Sequence, residues 1–142
     1  MGNRRKGREI ALQLLYEIEM KGSEPRMVLE LYWKGQEAET TDEIRQFTTD
    51  LLEGTYRNRK EIDEIIEKHS LHWKLARMAV VDRNILRLAV YELLYLHDIP
   101  TSVILNEAIE IAKKFGTEDS GAFINGILDK VAKEVRKEVH KT

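Results

Sequence analysis

Four cations, Arg4, Arg5, Lys6 and Arg8, precede the first acid of the chain. Arginine forks grip phosphate bidentately, and such contacts carry no sequence information. A helix N-terminus already bears partial positive charge, so stability alone would place acids there. The misfit points to an anionic ligand, against the plainer alternative of a solvated start of chain. Phe123 is the second candidate. It falls in register with Ile127, which makes core packing the default. At the edge of its helix it would instead stack on an unpaired base, a contact of about 1–3 kcal/mol.

Other chemistries find little support. Gly116 and Gly121 have phosphate-loop spacing, but Ala122 and Phe123 follow where Lys and Ser or Thr are needed. Glu118 and Asp119 would also repel a nucleotide; with Ser120 they read as a helix cap. His69 and His72 share a helical spacing, yet no cysteine exists to complete a zinc site. Ile66, not glutamate, stands three residues before His69, so the di-iron pattern is absent. No nucleophile elbow, Rossmann glycine pattern or kinase signature is present. Neither a catalytic centre nor a cofactor is expected.

The elements that carry these residues read as helices. Ile10, Leu14, Leu15 and Ile18 mark a helix over about residues 5–21, which Gly22-Ser23-Glu24-Pro25 stops. Val28, Leu31 and Tyr32 mark a short second helix. Thr40-x-x-Glu43 looks like a capping box for the third, with Ile44, Phe47, Leu51 and Leu52. A break at Arg57-Asn58-Arg59 precedes a fourth helix with Ile62, Ile65 and Ile66. His69 to Arg77 reads as a connector. The most apolar helix begins near Asp82, carries Ile85, Leu88, Ala89 and Leu93, and is expected to end at Pro100. Ile104, Ala108, Ile111 and Ala112 mark the next, closed by Gly116 in a left-handed conformation. Ile124, Ile127, Leu128 and Val131 give the last helix its stripe. Gly126 within it suggests a close helix–helix approach. The fold class is all-α, about seven helices in two halves that meet near residue 76.

The chain has 142 residues and a formal net charge of −2, so any affinity for nucleic acid must be local. Glu37, Glu39, Asp42 and Glu43 make the middle acidic, and Lys130, Lys133, Arg136 and Lys137 add cations late in the chain. No cysteine is present, and no apolar run approaches the roughly 20 residues of a membrane span. The basic start lacks the apolar core of a signal peptide. A cytoplasmic protein without membrane contact is expected.

Several segments together resemble the bacterial antitermination factor family NusB. They are Arg4-Arg5-x-x-Arg8 with Ala11-x-Gln13-x-Leu15-Tyr16, Val81 to Ala89 with Tyr91-Glu92-Leu93, Asp98-Ile99-Pro100, Asn106 to Glu110, Phe115-Gly116, and Phe123 to Asp129. The resemblance covers essentially the whole chain; residues 20–75 match only in helical pattern. It implies one domain over 1–142, built of two small helical bundles over about 1–76 and 77–142, with no catalysis. Members bind NusE, a small-subunit ribosomal protein, and the pair recognises single-stranded boxA RNA. This loads an antitermination complex onto RNA polymerase, notably in ribosomal RNA operons. By this resemblance Arg4, Arg5, Lys6 and Arg8 meet RNA phosphates, and Phe123 touches a base beside Asp119. Tyr16 and Asp82 face NusE. Ala122 departs from the pattern, since relatives often carry a basic residue there. Gly7 replaces a more helical residue and weakens the first turns. Two alternatives remain at this point: an RNA-binding domain of a ribosomal RNA methyltransferase, and a helical adaptor that binds protein alone.

Overall fold

The computed structural model describes residues 2–36, 40–71 and 73–136, the side chains of 2, 3 and 36 excepted. Glu37, Glu39, His72 and Lys137 lie outside the described residues. In chain order the described helices are α1 (Gly2–Lys21), α2 (Pro25–Gln36), α3 (Asp42–Arg57), α4 (Arg59–His69), α5 (Val80–Tyr95), α6 (Thr101–Phe115) and α7 (Ser120–Val135), with a 3-10 turn at Leu75–Arg77 before α5. No strand occurs among the described residues, so the fold is all-α. None of the described helices is long and apolar enough to cross a membrane.

The helices form two compact units, Met1–Arg57 and Asn58–Thr142. The division falls earlier than residue 76 because α4 packs on α5 and α7, which places it in the second unit. In the first unit α1 packs on α3 and α2. Ile10, Ala11, Leu14, Leu15 and Ile18 are buried there with Leu51 and Leu52. Gly22 ends α1 at φ 68, a left-handed backbone that favours glycine. Pro25 opens α2, where its missing N–H is harmless. In the second unit Ile85, Leu86, Ala89, Val90 and Leu93 bury one broad face of α5 against α6 and α7.

Helix ends depart from the sequence reading in instructive ways. The cap of α3 is Thr41, whose Oγ1 accepts the Ile44 N–H at 3.2 Å, so the capping residue is one later than Thr40. α5 ends at Tyr95, and Pro100 serves instead as the residue before α6. Gly116 is extended (φ −98, ψ −161) rather than left-handed. It is required by space: a Cβ there would collide with the Ser120 side chain and stand 3.0 Å from the Ala112 carbonyl. Ser120 Oγ accepts the Thr117 N–H at 2.9 Å, and Thr117 Oγ1 accepts the Asp119 N–H at 3.3 Å. The capping therefore runs through Thr117 and Ser120. The Asp119 side chain makes no capping bond. Gly126 faces open space, so no close helix approach explains it.

Arg136 binds the second unit together. It is only 5% exposed. Its Nε donates to the Leu93 carbonyl at 3.0 Å, Nη1 to the Ile99 carbonyl at 2.7 Å, and Nη2 to the Glu92 and Leu96 carbonyls at 3.1 and 3.0 Å. These are carbonyls at and beyond the C-terminal end of α5, where the helix dipole is negative and a buried cation is stabilised. On α5, Arg87 grips Asp63 of α4 through Nε at 2.8 Å and Nη2 at 3.2 Å. Tyr95 donates to Glu61 of α4 at 2.7 Å, and this bond raises the phenol pKa above its ordinary 10.0.

Candidate nucleic-acid interface

The four cations near the start of α1 divide by helical face. Arg4 and Arg8 lie one turn apart and both meet the Phe47 ring of α3, with guanidinium carbons 5.1 and 5.3 Å from its centroid. Such contacts are worth about 0.5–2 kcal/mol according to exposure. Arg8 is buried, while Arg4 is exposed beside Glu43 and Asp50, which line the same shallow hollow of about 410 Å³. Lys6 is exposed and Arg5 half-buried. No acid occupies the first turn of α1.

Gly7 explains how α1 comes close enough for these contacts. A Cβ there would stand 2.9 Å from both Phe47 Cδ2 and Thr48 Oγ1. Thr48 cannot easily yield, because it is buried and its Oγ1 donates to the Ile44 carbonyl at 2.7 Å. Gly7 is thus a packing residue of the α1–α3 contact rather than a point of fraying. Phe47 reads as a core residue in sequence; its contact with two arginines is visible only once α1 and α3 are paired. Tyr16 is 44% exposed farther along α1.

In the second unit, Asp119 and Phe123 lie one turn apart at the start of α7, where the Phe123 N–H donates to the Asp119 carbonyl at 3.2 Å. Asp119 is exposed. Phe123 is half-buried, between a core residue and an exposed helix edge. Its ring meets Trp73, with centroids 6.1 Å apart at 84°. Sequence reading passed over Trp73 because it lies in a connector without periodicity. Its signal was a large aromatic between the polar residues His72 and Lys74.

Ala122 lines an open groove of about 640 Å³ with Ile109, Lys113, Thr117, Glu118 and Asn125. Lys113 is a cation from α6 in the groove where α7 lacks one. It is paired with Glu110 at 3.3 Å, both well exposed. Asp82 sits in the first turn of α5, favourably for the dipole. Its Oδ1 is buried and makes no hydrogen bond. His69 is occupied: its Nε2 lies 2.6 Å from Glu134 Oε1, and Lys68 Nζ lies 3.2 Å from Oε2. Among the described residues no cluster of three or more acidic, histidine or cysteine side chains could hold a metal.

The chain matches the NusB family over residues 5–133. It is 52% identical over 132 residues to the transcription antitermination protein NusB of Geobacter sulfurreducens, covering 93% of this chain and 95% of that one. NusB of T. maritima superposes with a TM-score of 0.86 at 39% identity, covering 98% of this chain and 97% of that one. The antitermination factor NusB in a crystal structure with NusE and dsRNA gives a TM-score of 0.85 at 28% identity, over 94% of this chain and 98% of that one. A family match over most of the chain, close relatives and a shared fold agree: this chain belongs to the NusB family.

Proposed function

We propose that this chain is a transcription antitermination factor that binds the single-stranded boxA element of nascent RNA together with NusE. It helps to load the antitermination complex on RNA polymerase, notably in ribosomal RNA operons, and works in the bacterial cytoplasm without catalysis or cofactor. The observation that carries the reading is the first turn of α1, where cations stand exposed at a helix N-terminus that holds no acid. The half-exposed Phe123 beside an Asp119 that caps nothing supplies a base contact of the kind single-stranded RNA needs. Arg4, Arg5 and Lys6 take the phosphates. Arg8 supports them through Phe47. Tyr16 and Asp82 belong to the NusE-facing surface.

The test is a titration of fluorescent boxA-type RNA, with and without a NusE-type partner, against a duplex of the same sequence. Single-strand-selective binding that strengthens with partner is expected. Four phosphate contacts would give a salt slope near −3; with Arg8 buried, about three remain and the slope should be about −2. A duplex bound as tightly as the single strand would overturn the boxA assignment. No RNA binding in either condition would leave a protein-binding adaptor.

A further inference from the structure

The turn that leaves α4 offers an aromatic ring on a strained, pinned backbone. Trp73 is 53% exposed and Leu71 72%. Leu71 has φ 37, a left-handed conformation that costs a non-glycine residue about 1–2 kcal/mol. Such strain persists only where the surroundings over-determine it, and it gathers at ligand-binding places. Here the surroundings are specific. Buried Ser70 accepts the Trp73 N–H on its carbonyl at 2.9 Å and donates its hydroxyl to the Trp73 carbonyl at 2.8 Å. Glu67 Oε2 accepts the Leu75 N–H at 2.9 Å. The indole is therefore held out to solvent on fixed backbone.

Phe123 stands edge-to-face with that indole, so the two rings form a corner. Lys74 and Arg77 are exposed on the same turn. An aromatic platform flanked by cations is the combination that binds single-stranded nucleic acid. We propose that Trp73 and Phe123 together stack an unpaired RNA base, with Lys74 and Arg77 meeting the flanking phosphates. The proposal rests on the RNA-binding reading above and adds Trp73, Lys74 and Arg77 to its contact surface.

The chain has two tryptophans, and Trp33 is buried. A Trp33→Phe variant, with helicity verified by circular dichroism, leaves Trp73 as the only indole emitter. Titration with a short single-stranded boxA-type RNA should quench that emission with the Kd found from the anisotropy of labelled RNA. Trp73→Ala in the otherwise unaltered protein should weaken single-strand binding about 5- to 150-fold, and Trp73→Phe should recover most of the loss. Binding without quenching, together with undiminished affinity of Trp73→Ala, would overturn the stacking corner and leave the RNA-binding reading intact. Trp73→Ala that keeps its RNA affinity but no longer co-elutes with a NusE-type protein would make the turn a protein-docking surface and overturn it as well. Failure of the parent protein to bind single-stranded RNA, with or without partner, would sink the underlying reading first.

Discussion

Arg136 makes a heavy demand for a single side chain, since a guanidinium only 5% exposed must find acceptors. A buried guanidinium is tolerable here because carbonyls at and beyond the end of α5 surround it. Arg136→Ala leaves those carbonyls without their donor and should cost about 3 kcal/mol, read as a drop in the urea midpoint. Lysine has one ammonium where arginine has a planar fork, so Arg136→Lys should recover less than half of that loss. Gly7 makes the opposite demand, for absence of volume. Gly7→Ala gains about 1 kcal/mol in helix propensity but drives a Cβ against Thr48 and Phe47. Overpacking costs about 1–3 kcal/mol, so the net effect should be destabilising. A raised melting temperature for Gly7→Ala would refute the close packing of α1 on α3. Neither residue's role was legible in sequence. Arg136 looked like one more cation of a mixed run, and Gly7 like a helix-weakening substitution. Both roles depend on which helix is the neighbour.

Helices were legible where one face is apolar, since Ile10, Leu14 and Ile18, or Ile104, Ala108 and Ile111, repeat at the helical period and are buried. Their ends were less so. Thr40 and Thr41 both fit a cap, and the start of α3 at Asp42 together with the Ile44 N–H to Thr41 Oγ1 bond places Thr41 there. Pro100 can end one helix or open the next, and the chain uses the second option. Pairings between helices were not legible at all. One of them is testable through pH. His69 first, and then Lys68, hold the Glu134 carboxyl below its ordinary 4.5, tying α4 to α7. A carboxyl with a lowered folded pKa adds stability above its unfolded value, and that stability is lost as pH falls through the folded one. The melting temperature of the parent should therefore fall more steeply below pH 4.5 than that of Glu134→Gln. The difference should shrink with added salt, because Glu134 is 37% exposed. Parallel acid limbs for the two proteins would mean that the tie contributes nothing.

For the whole molecule, a net charge of −2 means that affinity for RNA is set by where the cations stand rather than by their sum. Arg5→Ala with Lys6→Ala should weaken binding across RNA sequences alike, since phosphate contacts do not read bases. Sequence-dependent loss would reassign those side chains to base contacts. Tyr16→Asp, at an exposed position of the first unit, should abolish co-elution with a NusE-type partner while circular dichroism stays unchanged. The candidate RNA contacts at Arg4, Arg5 and Lys6 could be named from sequence, because a basic cluster at a helix start opposes the dipole; Phe123 read by default as core and gained its base contact only through the family resemblance. Trp73 could not be named, since its use depends on a turn that only tertiary bonds define. The Arg136 clamp also orders events in time. Leu93, whose carbonyl it holds, precedes Arg136 by 43 residues. On a ribosome, Met1–Arg57 would emerge and could condense while α5 was still waiting for its distant arginine. Synthesis would thus deliver the unit that carries Arg4, Arg5 and Lys6 first and lock the second unit last.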